Sequence, residues 1–270
     1  MDEAIKYFAV FGGLDVKIDM SRPLLELIET VILNKYRFLR NDISQLTNGD
    51  TVLHSLLTAI ALSDRRTNAA FKRAKISFDN GMECVDELVK SNLIKIETSQ
   101  KHLTDQNEEY EVSEKLLFTS PYLRFWFAFI SPLFQGIKKG EYKEFYDTFD
   151  KRADEFTDVV FEQLCHEFIK LSFTEDKIKK LGRYWDSQDE LSIIGKTQSG
   201  KKIIGSCKYT HNKIKKSELN KLKEVAKNIE MTPDIFILFS KAGFSSELKA
   251  MKNETVRLYT PRNLKILVAQ

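Results

Sequence analysis

The run Asp234-Ile-Phe-Ile-Leu-Phe-Ser constrains this chain more than any other stretch of it. Its apolar residues follow one another without the alternation of a half-exposed strand, and the run is short for a helix, so it reads as a strand buried on both faces. Such a strand is stable only within a sheet that carries helices on each side. The flanking sequence supplies them. Asp154–Leu171 has the spacing of a long amphipathic helix, and the Lys-rich residues 216–229 form a second. Between them, Gly182-Arg-Tyr-Trp-Asp, Glu190-Leu-Ser-Ile-Ile-Gly and Lys202-Ile-Ile-Gly-Ser-Cys-Lys-Tyr read as strands, the last two joined in a hairpin over Thr197-Gln-Ser-Gly. A short helix at 245–251 and a strand, Thr255-Val-Arg-Leu-Tyr, complete the pattern.

That order, α-β-β-β-α-β-α-β, is restriction-endonuclease-like. Ahead of it, Asp50 caps a helix with Val52, Leu53, Leu56, Leu57 and Ile60 at helical spacing, a shorter helix starts at Thr67, and a third spans Asp79–Lys90 and ends in Ser91-Asn92. Leu93-Ile-Lys-Ile-Glu and Tyr110-Glu-Val, with the polar tract from Thr98 to Glu109 between them, supply a hairpin, which makes the segment a winged helix. Residues 116–134 crowd aromatic side chains between Pro121 and Pro132 and read as buried helix that ties the modules together. Gly136–Arg152 reads as a polar, mobile connection. The expected class is α+β: a helical lead-in over 1–47, a winged helix over 48–115, aromatic linker helices over 116–150, and a restriction-endonuclease-like domain with a mixed central sheet over 151–270.

No apolar run reaches the roughly 20 residues of a membrane span. The start, Met1-Asp-Glu-Ala-Ile-Lys, is acidic and does not resemble a signal peptide, so the expected location is the cytoplasm. Cys84, Cys165 and Cys207 are far apart and read as buried thiols. His54, His102, His166 and His211 are too scattered to form a metal site and read as structural or surface residues. Gly195-Lys-Thr-Gln-Ser-Gly-Lys-Lys fits GxxxxGK but falls in a hairpin rather than between a strand and a helix, which excludes a phosphate loop.

In nucleases of this topology, two acidic residues and a Lys come together in the pattern D…(D/E)-x-K. The carboxylates hold magnesium or manganese, and residues two apart share a strand face. Here Ser206-Cys207-Lys208 occupies the second half of the pattern, so Lys208 has its place while Ser206 stands where an acid is expected. One strand earlier Ser192 stands at the metal-bridging position, with Glu190 two residues before it. A neutral hydroxyl is a poor ligand for a hard divalent cation.

The blocks Phe11-Gly-Gly, Ser120-Pro-Tyr-Leu-Arg-Phe-Trp-Phe-Ala-Phe-Ile, Phe161-Glu-Gln-Leu-Cys, Gly182-Arg-Tyr-Trp, Glu190-Leu-Ser-Ile-Ile, Gly205-Ser-Cys-Lys-Tyr and Leu238-Phe-Ser-Lys-Ala-Gly-Phe carry a family resemblance. From about residue 8 onward the chain resembles the C-terminal part of archaeal-type ATPases that carry the domain of unknown function 234. The resemblance implies a winged helix followed by a nuclease-superfamily domain, with Glu162 and Glu190 as metal-binding acids and Lys208 as the motif Lys. It also implies an N-terminal P-loop ATPase, which this sequence lacks; residues 12–13 then mark the stub of an ATPase lid.

The net charge of +3 identifies no partner, but its distribution is uneven. Residues 199–223 hold eight Lys and one Glu. Lys201, Lys202, Lys213, Lys215, Lys216, Lys221 and Lys223, with Lys72, Arg73 and Lys75 from the winged-helix segment, are the candidates for phosphate contact. The leading expectation is a DNA-binding protein with a degenerate nuclease fold. The alternatives are a metal-dependent nuclease in which Asp186 or Asp189 replaces a missing ligand, and a protein-interaction module that works in trans with an ATPase.

Overall fold

A computed structural model describes residues 1–104 and 112–268 of the chain. It divides into a helical unit, Lys6–Thr98 with Ser113–Ala153, and a sheet unit, Met1–Ile5 with Ser99–Val112 and Asp154–Gln270. No helix among the described residues is long and apolar enough to cross a membrane.

The chain begins with α1 (Asp2–Phe11), α2 (Leu24–Ile28), a π-helical turn at Glu29–Leu33, and α3 (Tyr36–Leu46). Then follow α4 (Thr51–Leu62), α5 (Thr67–Ala74) and α6 (Phe78–Lys90). The caps are those expected. The Asp50 carboxylate accepts the Val52 and Leu53 N–H groups at 2.6 and 3.0 Å, which satisfies donors that the first turn of α4 leaves open. Helix α6 stops at Ser91-Asn92, where Asn92 takes the left-handed conformation with φ 54°. A hairpin of β1 (Ile94–Glu97) and β2 (Lys115–Phe118) completes the helix-helix-helix-strand-strand series, and Arg66 forms an antiparallel bridge to Lys115.

Two expectations change in this region. The second hairpin strand is Lys115–Phe118 rather than Tyr110-Glu-Val, of which Tyr110 and Glu111 lie outside the described residues. Leu116, Leu117 and Phe118 are therefore strand, because they pair with Ile94–Ile96, and helix resumes only at α7 (Pro121–Phe125) behind the Ser120 cap. The aromatic stretch is core, as its composition suggests: α7 continues into a π-helical turn at Trp126–Ile130 in which every residue is buried.

Second, Gly136–Arg152 is helical, first as α8 (Phe134–Lys139) and then as the opening of α9 (Lys143–Ser172), which starts well before Asp154. Its abundant charge conceals the reason. Phe145 and Phe149, one turn apart, are buried against Phe125 and Phe129, with ring centroids 6.3 Å apart for Phe125–Phe145 and 5.2 Å for Phe129–Phe149.

The sheet unit has β3 (Ile178–Trp185), β4 (Glu190–Thr197), β5 (Lys202–Lys208), β6 (Ile235–Ser240) and β7 (Val256–Tyr259), in that spatial order. The first three strands run antiparallel, and β5, β6 and β7 are parallel, so the sheet is mixed. Helix α10 (Lys216–Asn228) makes the crossover from β5 to β6, and α11 (Ser246–Ala250) the crossover from β6 to β7. Both faces are covered. Phe161, Cys165, Phe168 and Ile169 of α9 pack with Ile193, Ile203, Ile237 and Phe239 on one side. Leu219, Leu222 and Val225 of α10 pack with Ile194, Ile204 and Leu238 on the other. The chain is thus α+β, with a helical N-terminal region and a five-stranded mixed sheet in its C-terminal part. The GxxxxGK look-alike lies in the β4–β5 hairpin, where Thr197 N–H donates to the Lys201 carbonyl at 3.0 Å.

Gly205 sits where β5 meets β6. A Cβ there would stand 2.1 Å from the Ile237 carbonyl oxygen, which is backbone and cannot move aside without separating the strands. Gly205→Ala is expected to destabilise the protein by about 3 kcal/mol, at the upper end for overpacking; urea unfolding measures it, and an unchanged midpoint would refute the close approach.

Candidate functional site

The parallel strands β5 and β6 end together at the Lys208–Ser240 pair. In open sheets of this kind, polar groups and ligands gather beyond the carboxyl ends of parallel strands. Ile204 belongs to the α10 side and Cys207 to the α9 side, so Ser206 and Lys208 fall on the α10 face by alternation. Lys208 Nζ lies 3.7 Å from Glu218 Oε1 of α10, and Cys207 is packed on the opposite face as expected. Ser206 is 5% exposed, and its hydroxyl has no hydrogen-bond partner among the described residues.

Ser192 stands beside a β-bulge. Gly182 pairs with Ile194 and Tyr184 with Leu191, so residues 192 and 193 together face Arg183, and counting by twos no longer tells which side Ser192 presents. The β4–β5 ladder is described from Ile193–Gly205 onward, one residue short of both serines. The imidazole of His166 is 2.7 Å from the Ser192 carbonyl oxygen, a structural role that fits the expectation for that histidine. Glu190 is the exposed first residue of β4, opposite Trp185.

Glu162 forms an ion pair with Arg183 of β3. It extends from α9 on the other face of the sheet, where its carboxylate is 2.5 Å from Nε of Arg183, and the two side chains are 11% and 3% exposed. Arg183 neutralises it. β3 brings the Arg183 guanidinium to Glu162, and Glu190 stands exposed at the start of β4, so the contacts described do not gather these two acids beside Lys208 as the sequence motif implies. The fallback ligands are engaged as well. Asp186 accepts the Gln188 and Asp189 N–H groups at 2.7 and 2.6 Å and the Tyr184 hydroxyl. Burial would raise the Asp186 carboxyl, but these bonds and Lys101 hold it below the usual carboxylate range. Asp189 accepts from Asn228 at 3.0 Å.

A magnesium or manganese ion therefore does not fit the residues present. The Ser206 hydroxyl is neutral, Glu162 is taken by Arg183, and no group of three His, Cys, Asp or Glu among the described residues is placed to hold a metal. No chemical step is assigned to one.

The edge holds a polar network that sequence reading missed. Asp154 Oδ2 is 2.6 Å from His211 Nε2, and its Oδ1 is 3.1 Å from Lys241 Nζ, which is nearly buried and lies 4.3 Å from the centroid of the Tyr209 ring. Burial would raise the Asp154 carboxyl; Lys241 and His211 outweigh it and leave Asp154 below its ordinary value. The Tyr209 N–H donates to Asp158 at 2.9 Å, and burial pushes its phenol upward. No spacing rule joins residues 154, 211 and 241; only the parallel ending of β5 and β6 does.

The lysine tract is divided. Lys201 and Lys202 lie at the start of β5, roughly 20 Å along the strand from Lys208 at about 3.3 Å per residue. Lys213 and Lys215 are exposed in the loop beyond β5, held by the Ile214–Phe244 bridge, and Lys216 pairs with Glu247 at 2.9 Å. Lys221 and Lys223 are exposed along α10, with Lys223 6.0 Å from the Phe236 ring centroid. In the helical unit, Lys72 and Arg73 end α5, and Lys75 follows in the left-handed region; all three are exposed. Cys165 and Cys207 are buried as expected, whereas Cys84 is only half-buried.

Removing one partner of the Arg183–Glu162 pair leaves the other charge buried and unneutralised. Glu162→Gln is expected to lose about 3–5 kcal/mol of stability. The double variant Glu162→Gln with Arg183→Met should recover most of that loss. Denaturant unfolding of the three proteins reads both effects, and a double variant less stable than Glu162→Gln would contradict the account.

No curated protein matches the chain. Among solved structures, Can2 from Sulfobacillus thermosulfidooxidans in complex with cyclic tetra-adenylate is 15% identical with a TM-score of 0.32, covering 91% of this chain and 55% of that one. Protein VC1899 from Vibrio cholerae is 14% identical with a TM-score of 0.29, covering 83% and 50%. The chain spans about half the length of these structures. Residues 126–222, from the buried aromatic turn through the first part of α10, match the family DUF234, described as archaeal and bacterial proteins of unknown function, which is the family that the sequence motifs resemble.

Proposed function

We propose that the chain binds nucleic acid along the C-terminal edge of its sheet and cleaves it poorly or not at all. The observation that carries this reading is the set of cations around the ends of β5 and β6. Lys213 and Lys215 are exposed there and pair with no acid among the described residues, Lys208 meets Glu218 only at 3.7 Å, and Lys241, nearly buried at the end of β6, is held by Asp154. Lysines placed in this way neutralise phosphates and release counterions, giving affinity with little sequence information. Loss of cleavage follows from Ser192, Ser206 and the Arg183-bound Glu162.

The helical unit favours a different partner. We read α4 to β2 as a winged helix, in which α6 is the helix that would enter a DNA groove. Asp79, Glu83, Asp86 and Glu87 fall on one exposed face of α6, and Lys90 is its only base. That face repels phosphate. It suits a protein with a basic surface, such as an ATPase acting in trans, and leaves nucleic acid to the sheet edge.

Replacing Lys208, Lys213 and Lys215 together by Gln is expected to reduce the slope of log affinity against log salt for duplex DNA by about 2–3 units. Lys201→Gln with Lys202→Gln should leave that slope unchanged. No DNA binding by the wild type at low salt would refute the reading. Plasmid incubated with magnesium or manganese should remain intact, and Ser192→Asp with Ser206→Glu should create metal binding visible by calorimetry. Robust cutting by the wild type that Glu190→Ala abolishes would overturn the degenerate site.

A further inference from the structure

The helical unit contains a cleft of about 340 Å³ between α3, α4 and the segment that follows the π-helical turn at Trp126. Its floor is rigid. The Tyr36 and Trp126 rings are buried and parallel, 5.8 Å apart with an interplanar angle of 2°. One wall is fixed by His54, whose Nε2 is 2.8 Å from Ser131 Oγ and whose ring meets Phe127 edge-on at 4.9 Å; Thr58 also reaches the Ser131 hydroxyl at 3.4 Å. Burial, then the charge of Arg40, lowers the His54 pKa, so at neutral pH the imidazole is uncharged.

Arg40 is the cation on this lining. It is exposed and makes no ion pair among the described residues. The lining acid is Asp50, and its carboxylate is held on the Val52 and Leu53 amides at the start of α4. The cleft therefore offers one guanidinium with the hydroxyls of Ser44, Ser55 and Ser131, and Phe134, 39% exposed, stands on its lining. A guanidinium fork with several hydroxyls matches a group with three acceptor oxygens better than a carboxylate with two. The volume is near the lower end of ligand pockets, about 300–1,000 Å³, which suits a single nucleotide rather than a longer chain. An exposed phenyl ring gives a base a face on which to stack.

We propose that this cleft binds a nucleoside monophosphate, with the phosphate on Arg40 and the base against Phe134, at a site separate from the sheet edge. The test is calorimetry on the full chain with AMP, UMP, adenosine and inorganic phosphate. Both nucleotides should bind, with adenosine and phosphate each at least about tenfold weaker, since each lacks half of the contacts. Arg40→Gln should weaken the nucleotides about tenfold without changing the melting temperature, because Arg40 is exposed. Phe134→Ala should weaken the nucleotides and leave phosphate unaffected. The Lys208, Lys213 and Lys215 triple variant should bind nucleotide as the wild type does, which keeps this site distinguishable from the DNA edge. Absence of nucleotide binding at millimolar concentration, equal binding by Arg40→Gln, or loss of nucleotide binding in the triple variant would each overturn the proposal.

Discussion

Burial of β5 and β6 on both faces is the constraint on which the rest of the sheet unit depends. Ile203, Ile237 and Phe239 are sealed by α9, and Ile204 and Leu238 by α10, so neither helix can leave without exposing one side of the parallel pair. Gly205 shows how close the two strands lie, since no side chain fits between it and Ile237. The polar groups of the sheet edge owe their positions to this packing. Lys208 and Lys241 are each one step from a fully buried strand residue, and both are carried by backbone that the core holds in place.

Charge is divided across the sheet in the same way. On the α9 face the buried Arg183–Glu162 pair supplies its own counter-charge. On the α10 face Lys208 meets a partly exposed glutamate, and Ser206 stands where the resembled pattern has an acid. In each pair a cation already faces the carboxylate, and a divalent cation gains little from sites already neutral.

Elements with strong periodic or continuous apolar patterns were legible in the sequence. β6 was readable from an unbroken apolar run, β4 and β5 from a hairpin, and α4 and α6 from their caps and spacing. The start of α9 was not, because Phe145 and Phe149 are embedded among charges that mask a buried face. In the site, Lys208 and the packed Cys207 followed from alternation along one strand, which depends only on local geometry. Ser192 escaped the same reasoning because the bulge opposite Arg183 breaks the count, and no local pattern reports a bulge there. The ion pair of Glu162 was not legible because its partner, Arg183, is twenty-one residues away on a strand. The Asp154–His211–Lys241 network depends on contacts across still longer stretches of chain.

The sheet unit is also assembled from three separate pieces of chain. Ser99 and Gln100, which follow the first hairpin strand, attach to Trp185 and Arg183 through bonds of 2.7 and 2.9 Å, and Leu103 enters the α10-side core. During synthesis these residues emerge well before β3 exists. Residues 6–98 and 113–153 can begin to collapse while the ribosome is still making the sheet, whereas the piece around Ser99 must wait for β3 to emerge. Such sequence-distant pairings make the sheet unit the slower of the two to mature, with its fifth strand, Val256–Tyr259, translated after the other four.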